Sequence, residues 1–370
     1  DGQPKTVLDS QPIATNAYHT ALIRLTNLLP GTRYFYRVKF GGSVVPIKHP
    51  LRFQTQPIWR RRKNAGPPNF VVATGSCAYT NDADYESEKP YGGGYEIYET
   101  IRKQAPDLML WLGDNVYFRA ADWGSPSGLI RRYTRDRALP ALQAFLGSTH
   151  HYAIWDDHDY GPNNSDGTAK GKEFSLAGWK QAWPNPVSGT PDTPGAFFKF
   201  SRGDVDFFVV DGRYYRDPNE LPDDDKKRKL GDAQFEWLLN GLKNSKAKFK
   251  IIASGSVLHH SKVDGWRIFT FSRHRLFDAI KKHQISGVMY VGGDMHQSLV
   301  WQHHESKRVG YPMIEIMSSG ITNGKDLSFA TIDFDTTVAD PTARVRIIYG
   351  KGEKVHTDKT WKLSQLTHAK

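Results

Sequence analysis

The stretch Asp107-Leu-Met-Leu-Trp-Leu-Gly-Asp-Asn-Val-Tyr117 determines how the rest of the chain is interpreted. Its apolar run, Leu108 to Leu112, follows a proline and is typical of a fully buried strand. After a glycine come an acid, an amide and a phenol, at Asp114, Asn115 and Tyr117. Ligands of open α/β sheets bind beyond the carboxyl ends of the strands. The alternative is an ordinary polar turn, and three further strand ends count against it.

Three other segments also combine an apolar strand with a thiol, an acid or a histidine at its end. These segments are Phe70–Cys77, His150–Asp159 and Gly287–His296. A helix predicted between Tyr95 and Gln104 separates the first of them from the strand at Leu108, and this β-α-β order implies a parallel pair with a right-handed crossover. We therefore expect Cys77 and Asp114 to lie at the same edge of one sheet.

The residues at these strand ends have the chemistry of a site with more than one metal ion. Consecutive acids such as Asp156 and Asp157 repel each other unless a cation offsets their charge. Asp294 and His296 are two residues apart, so in an extended segment both point to one side. Two cations that share a carboxylate can stabilise charge on a phosphoryl group. The candidate metal-binding or catalytic residues are Cys77, Asp114, Tyr117, Asp157, His158, Asp294 and His296.

Two further residues are predicted to bind substrate. Arg213 follows a strand that begins at Val205, and it either clamps a phosphate through two hydrogen bonds or serves as a structural ion-pair partner. Asn164 lies in a loop, residues 160–166, that could fold over the mouth of the site.

Composition limits the classes of function. Ten Trp and seventeen Tyr in 370 residues predict a well-filled core. No apolar run approaches the length of a membrane helix, and the single cysteine excludes an internal disulfide. The net charge of +11 includes basic clusters at Arg60–Lys63 and Lys226–Lys229, which we interpret as solvated loops. We expect no specific nucleic-acid binding, and general attraction of phosphate-bearing substrates is the better use of this charge.

The first part of the chain has a different pattern. Ala21–Leu25 and Tyr34–Val38 alternate apolar and polar residues, which predicts half-buried strands. Between them, Leu28–Tyr34 resembles the corner of fibronectin type III-like sandwiches, in which a Tyr hydroxyl bonds back to the preceding turn. We predict a small, truncated β domain over residues 1–56, a linker, and an α/β domain over residues 69–370.

Later elements extend the α/β pattern. Helices are predicted over residues 230–242 and 273–283. Strands are predicted over residues 313–317, 330–334 and 345–349.

Three strings together resemble the alkaline phosphatase D family of metallophosphoesterases: Gly113-Asp-Asn-Val-Tyr117, Trp155-Asp-Asp-His-Asp159 and Gly293-Asp-Met-His296. Gly75-Ser-Cys77 stands where the wider superfamily has Asp-x-His, which favours a branch that binds iron through a thiolate. The resemblance runs from about residue 69 to the end. It implies a four-layer fold, two stacked mixed sheets with helices outside.

The resemblance also implies a metal set of one ferric ion with calcium. Cys77, Asp114 and Tyr117 would hold the iron, and Asp114 would bridge to calcium. The further oxygen ligands would be Asp157 and Asp294. His158 and His296 would lie beside the phosphate as ligand, orienter or proton donor. His259 and His260 match another superfamily ligand position, and their role is left open.

The implied activity is hydrolysis of phosphate monoesters or diesters by in-line attack of a metal-bound hydroxide or oxide. The alternatives are a phosphodiesterase with phospholipase D-like specificity and a catalytically silent binding protein on the same scaffold. No signal peptide is visible, so a secreted or periplasmic location is expected only from the resemblance. The sequence leaves the oligomeric state open.

Overall fold

A computed structural model describes residues 20–60, 66–82, 90–259, 264–350 and 353–369. Most of the described chain forms two six-stranded sheets. The first contains β5 (Phe70–Gly75), β6 (Leu108–Leu112), β7 (His150–Ile154), β14 (Ser328–Asp335), β15 (Thr342–Tyr349) and β16 (Val355–Lys362). The second contains β8 (Phe198–Arg202), β9 (Val205–Val210), β10 (Phe249–Ser254), β11 (Val288–Gly292), β12 (Leu299–Gln302) and β13 (Ile314–Met317).

Both sheets are mixed, with parallel strands next to antiparallel ones. The first has the order β16-β15-β14-β5-β6-β7, in which β5, β6 and β7 are parallel. The second has the order β12-β13-β11-β10-β9-β8, in which β9, β10, β11 and β13 are parallel. The predicted parallel pair of β5 and β6 is confirmed. The carboxyl ends of β5, β6 and β7 therefore meet at one edge.

Aromatic rings join the two sheets face to face. Phe70 and Phe334 of the first sheet lie 6.4 Å and 6.3 Å from Phe207 of the second, measured between ring centroids. Phe249 of the second sheet lies 5.5 Å from Phe334. All four side chains are buried, and buried aromatic pairs add stability beyond the area they remove from water. The expected stack of two mixed sheets is confirmed.

Helices cover the outer faces of the stack. Tyr98 and Phe145 pack against Trp111 on the first sheet, and Trp237 packs against Phe208 on the second. The helices are α1 (Ile97–Lys103), α2 (Pro126–Asp136), α3 (Pro140–Leu146), α4 (Asp157–Tyr160), α5 (Lys172–Ala182), α6 (Asp232–Asn244), α7 (Thr270–Lys282) and α8 (Ser306–Val309). The three predicted helices correspond to α1, α6 and α7. No helix in the described ranges is long and apolar enough to cross a membrane.

The N-terminal region contains two short strand pairs, β1 with β4 and β2 with β3. Their bounds are β1 (Arg33–Phe35), β2 (Lys39–Phe40), β3 (Ser43–Val44) and β4 (Arg52–Gln54). The Tyr34 hydroxyl accepts a hydrogen bond from the Leu29 amide at 2.7 Å, the local contact that the corner string predicts. The strand predicted over residues 21–25 is wrong, because this segment has no regular structure and Leu22 is 66% exposed. The strand predicted over residues 34–38 is reduced to β1. The sandwich interpretation stays a prediction.

The interpretation of the second basic cluster as a solvated loop is also wrong. Lys227 and Lys229 are buried. The Lys227 ammonium group donates to the carbonyl oxygens of Asn219 and Leu221, and that of Lys229 donates to Ser256. Three residues of the first cluster, 61–63, lie outside the described residues.

Glu315 on β13 is a fully buried acid in the second sheet. Its Oε1 accepts a hydrogen bond from the Leu258 amide at 2.6 Å, whereas its Oε2 has no partner among the described residues. Burial raises the pKa of this carboxyl to about 8. Glu315 is therefore protonated in the folded protein at neutral pH.

This protonation makes stability depend on pH with a defined sign. Between the ordinary pKa of 4.5 and about 8, the folded state holds a proton that the unfolded state has released. Stability from this group is therefore present at low pH and is lost as pH rises towards 8. In urea unfolding measured from pH 5 to pH 8, the free energy of unfolding of Glu315→Gln should rise steadily relative to that of the unmodified protein as the pH increases. The control Glu236→Gln changes an exposed residue, and its free energy of unfolding should have the same pH dependence as that of the unmodified protein. A constant difference between Glu315→Gln and the unmodified protein would contradict the assignment.

Candidate metal centre and active site

The loops after β5 and β6 bring a thiol, a carboxylate and a phenol together. Cys77 Sγ lies 3.5 Å from Asp114 Oδ2. The Tyr117 hydroxyl donates to the same oxygen at 3.1 Å. All three residues are buried. The sequence predicted this juxtaposition from parallel strand order alone.

The loop after β11, which comes from the second sheet, adds an imidazole to this group. His296 Nε2 lies 3.5 Å from the Tyr117 hydroxyl oxygen. Ligand atoms of Cys77, Asp114 and His296 all lie within 4.8 Å of one another. Both sheets therefore contribute to one site, because their stacked strands end at the same edge.

A second group forms where α4 begins. Ligand atoms of Asp114, Asp157 and His158 again lie within 4.8 Å of one another. The Asn164 amide donates to Asp157 Oδ2 at 2.7 Å, so the predicted loop over the site holds this carboxylate through its backbone. The ring of His158 lies against that of Tyr117, with centroids 4.2 Å apart.

A third group contains a residue that the sequence analysis did not select. Asp156, Asp157 and Asp294 bring carboxylate oxygens within 4.8 Å of one another. Asp156 Oδ2 is buried and has no hydrogen-bond partner among the described residues, which is costly unless a cation binds there. The signal was present, since Asp156 is the first acid of the Trp155–Asp159 string.

The three groups form a continuous series. Asp114 belongs to the first and second groups, and Asp157 belongs to the second and third. Thiolate and imidazole lie at one end and carboxylates alone at the other. This donor set fits two or more cations of different hardness that share bridging carboxylates.

The backbone at these positions is strained. Nine non-glycine residues in the described chain have positive φ, and five of them are predicted site residues. A left-handed conformation costs an L-residue roughly 1–2 kcal/mol, so its concentration here indicates that ligand placement outweighs local stability. The five are Cys77 (62°), Asp114 (50°), Asn164 (59°), Asp294 (74°) and His296 (53°).

The close approach of several acids destabilises the ionised form of two carboxyl groups. Burial and the neighbouring charge of Asp157 raise the pKa of Asp114 well above its ordinary value. Burial and the charge of Asp156 do the same to the pKa of Asp294. A bound cation would reverse both shifts, because it favours the charged form of its ligands.

Cys77 and His296 shift each other's proton affinity. Burial raises the pKa of the Cys77 thiol, but His296 and hydrogen bonds with Ser319 and Ser76 outweigh this and bring the pKa to about 7. Burial lowers the pKa of His296, yet the interaction with Cys77 gives a net rise. The thiolate form needed for a metal ligand is therefore accessible near neutral pH.

Arg213 has the structural role that the sequence left as one of two alternatives. Its side chain is fully buried and its Nε donates to Asp156 Oδ1 at 2.5 Å. Its other nitrogens bind Asp264 and the Ser165 carbonyl oxygen. The substrate-binding prediction for Arg213 is therefore corrected, because no part of this guanidinium faces solvent and it is engaged in holding the carboxylates.

Three further residues of the site gave no signal in the sequence. The Asn323 side-chain amide donates to the Tyr117 hydroxyl at 3.0 Å. Ser319 Oγ lies 3.1 Å from Cys77 Sγ. Tyr91, which is 53% exposed, places its hydroxyl 3.4 Å from His296 Nδ1. Serine, asparagine and tyrosine are too common for one sequence to reveal such contacts.

His259 belongs to a separate group with His303 and His304, and His260 lies outside the described residues. His303 Nδ1 accepts a hydrogen bond from the Glu305 amide at 3.1 Å, which leaves the hydrogen of the neutral ring on Nε2. Burial lowers the pKa of His303 to about 3, so the ring is neutral. This cluster shares no residue with the three ligand groups described above, and its role stays open.

Arg213→Met separates the structural role from a phosphate clamp. Removing the buried guanidinium leaves Asp156 without its ion-pair partner, whereas Asp264 keeps Arg216, so unfolding free energy should fall by about 3–5 kcal/mol. Arg308→Met removes a surface ion pair with Asp278 and should cost less than ~1 kcal/mol. A phosphate clamp would instead raise KM without a loss of stability, and that result would restore the substrate-binding role.

Comparison with known proteins places this site in a family. The family model described as PhoD-like phosphatase matches residues 70–353, well over half of the chain. Alkaline phosphatase D of Bacillus subtilis (strain 168) is 25% identical over 363 residues, which cover 83% of this chain and 58% of the relative. The chain thus spans less than two thirds of that relative.

Two solved structures share the fold. One, called "Structure of PhoD", has a TM-score of 0.72 at 21% sequence identity. The match covers 92% of this chain and 77% of the chain in that structure. The other, purple acid phosphatase PPD1 from yellow lupin (Lupinus luteus) seeds, has a TM-score of 0.63 at 12% sequence identity. That match covers 91% of this chain and 60% of the lupin chain. The fold, the site and the family model agree: the chain belongs to the PhoD-like phosphatase family.

Proposed function

We propose that the protein is a metal-dependent phosphoesterase that hydrolyses phosphate monoesters, diesters or both. The observation that carries this proposal is the series of three ligand groups linked by Asp114 and Asp157. Such a series supports two cations on a shared carboxylate, the arrangement suited to phosphoryl transfer. Membership of the PhoD-like phosphatase family supports the same activity.

The side chains fit the iron and calcium expected from the sequence. Cys77 and Tyr117 can supply a thiolate sulfur and a phenolate oxygen on one side of Asp114, two anionic donors whose negative charge suits a trivalent ion such as ferric iron. Asp156, Asp157 and Asp294 supply carboxylate oxygens on the other side, the set that calcium prefers. The unpartnered Oδ2 of Asp156 and the raised pKa of Asp294 both support cation binding at this end.

The cations, when bound, would lower the pKa of a water molecule and neutralise charge on the phosphoryl oxygens. The protein's own contribution is proton control and orientation. Burial lowers the pKa of His158, which keeps this imidazole neutral and able to orient the phosphate. His296, whose Nε2 lies 3.5 Å from the Tyr117 hydroxyl oxygen, is proposed to lie beside the phosphate as ligand, orienter or proton donor. Asn164 at the loop edge is proposed to contact substrate, as the sequence predicted.

A chelation assay with two substrates tests the activity. Incubation with a calcium chelator should abolish hydrolysis of p-nitrophenyl phosphate and of bis(p-nitrophenyl) phosphate, and added calcium should restore it, because carboxylate ligands bind calcium reversibly. The ratio of the two rates shows whether monoesters or diesters are preferred. Full activity in protein that metal analysis finds calcium-free would refute calcium dependence, and no hydrolysis of either ester with metals loaded would favour the silent binding protein.

Asp114→Asn tests the bridging role. The change removes one negative charge from two ligand groups, so turnover should fall about 100-fold or more, the loss typical for one electrostatic contact to transition-state charge. Asp166→Asn in the nearby loop is the matched control, because the hydrogen bonds that Asp166 Oδ1 accepts within the described part of the chain come from Thr168. Similar mild losses in both variants would place the catalytic centre elsewhere.

Colour tests the identity of the iron ligands. Tyrosinate bound to ferric iron should give a visible charge-transfer band, which Tyr117→Phe should abolish while the unfolding midpoint stays close to that of the unmodified protein. Cys77→Ser should lower iron content, because a hydroxyl is a weaker anionic ligand at neutral pH. Tyr91→Phe, at the exposed side of the same site, should keep the band. An iron-loaded protein whose band survives Tyr117→Phe would exclude the tyrosinate.

The secreted or periplasmic location stays a prediction. Fractionation of the native cells tests it directly, with the phosphoesterase activity expected outside the cytoplasm.

A further inference from the structure

A basic cavity lies between the N-terminal strands and the first sheet. Its volume is about 120 Å³ and arginines from four segments line it: Arg33, Arg52, Arg102 and Arg202. Asp107, which precedes β6, and His150, which begins β7, also contribute to its wall. The cavity therefore sits at the amino ends of these strands, whereas the metal centre sits at their carboxyl ends.

Two of the arginines have no counter-charge. Arg33 on β1 and Arg52 on β4 lie on one face of this antiparallel pair, in which Arg33 is opposite Gln54 and Phe35 is opposite Arg52. Neither guanidinium has an ion-pair or hydrogen-bond partner within the described ranges. Arg52 is also half-buried, so its charge is only partly solvated.

The other two arginines are paired, but one of them retains an unused donor. Arg102 binds Glu99 at 2.6 Å, and Arg202 binds Asp107 at 2.6 Å. Arg202 Nε is buried and has no partner among the described residues. Asp107 carries a single negative charge, which is already paired with Arg202, and its second oxygen accepts from the Val71 amide. Four cations and two carboxylates, Glu99 and Asp107, leave an excess charge of +2.

The like charges around this cavity repel one another. An anion bound among them would offset this repulsion, above all at Arg202, which is buried, and at Arg52, which is half-buried. The guanidinium group presents paired N–H donors that match a phosphate oxyanion. A water molecule needs only ~10–15 Å³ of such a volume, so the cavity has room for a phosphate group.

We infer that this cavity is an anion-binding site for phosphate, taken either as the free ion or as the terminal group of a larger molecule. The site is distinct from the metal centre. The five residues of β6 separate the two, a distance of about 16 Å at ~3.3 Å per residue. Binding there would link the N-terminal strands to the catalytic domain, which already share the hydrogen bond from His150 Nε2 to the Gln54 carbonyl oxygen at 2.8 Å.

Calorimetric titration of the metal-loaded protein with inorganic phosphate tests this inference. The unmodified protein should show two classes of site. Arg33→Gln combined with Arg52→Gln should weaken one class about tenfold or more, equivalent to ~1.4 kcal/mol or more, and should leave turnover unchanged. Arg37→Gln changes an exposed arginine of the same segment that does not line the cavity, and it should leave both classes intact. Asp114→Asn should affect only the other class.

Additional titrations distinguish free phosphate from a phosphate group on a larger molecule, and they exclude non-specific anion binding and unfolding of the variant. Phenylphosphonate, which cannot be hydrolysed as an ester, should bind the cavity more tightly than inorganic phosphate if a larger molecule is the ligand, and more weakly if the free ion is. Chloride at equal ionic strength should not compete. Two classes of site that persist in the double arginine variant, or a single class removed entirely by Asp114→Asn, would overturn the inference. An unchanged unfolding midpoint shows that the double variant is folded.

Discussion

Repulsion among buried carboxylates is the constraint on which the rest of the site depends. Asp114, Asp156, Asp157 and Asp294 converge from three loops into adjoining ligand groups. Proteins rarely bury such charges unless each is paired or bound to a cation. Arg213 forms ion pairs with Asp156 and Asp264, and its positive charge offsets part of this negative charge. The remaining charge and burial raise the pKa values of Asp114 and Asp294, and a cation at this edge would offset that charge.

The strained loops are held by hydrogen bonds that run between the two sheets. The Asp294 amide donates to Ser76 Oγ at 3.2 Å, which ties the loop after β11 to the loop after β5. The His296 amide donates to Ser319 Oγ at 2.8 Å, and the same serine contacts the Cys77 sulfur. Left-handed conformations persist only where surrounding structure fixes them. These contacts provide that fixation, so hydrogen bonds within the protein hold the side chains of the site in place.

Opposite charges lie at the two ends of the parallel strands in the first sheet. Acids follow the carboxyl ends of β6 and β7 and are joined by Asp294 from the second sheet, whereas arginines surround the amino ends of β6 and β7. Asp107 and Asp114 flank the same five-residue strand, yet Asp107 binds Arg202 and Asp114 faces other acids. The net charge of +11 therefore does not describe either edge. The acidic edge suits cations that contact phosphate, and the basic edge suits an anion itself.

Much of the fold and of the metal centre could be predicted from the sequence. The apolar run Leu108–Leu112 determined a buried strand, and the β-α-β order determined that Cys77 and Asp114 would meet, because parallel strands end at one edge. Elements with weaker patterns were not predicted. The last strand, β16, is exposed along most of its length. The helix α2, which begins after the Ser125 cap, was missed although its apolar residues are arranged along one face. The strand predicted over residues 21–25 failed because no partner strand buries its apolar side among the described residues.

Tertiary structure decided the features that depend on contacts distant in sequence. The sequence left Arg213 between two roles, and only its burial against Asp156 and Asp264 separates them. The sequence predicted that Lys229 belongs to a solvated cluster, whereas in the folded protein its ammonium group donates a hydrogen bond to Ser256 Oγ. The sequence by itself determined which donor types leave each strand end. The stacking of the two sheets decided which of them lie within a few ångströms of one another, because distances between residues some two hundred positions apart are set by packing and not by local pattern.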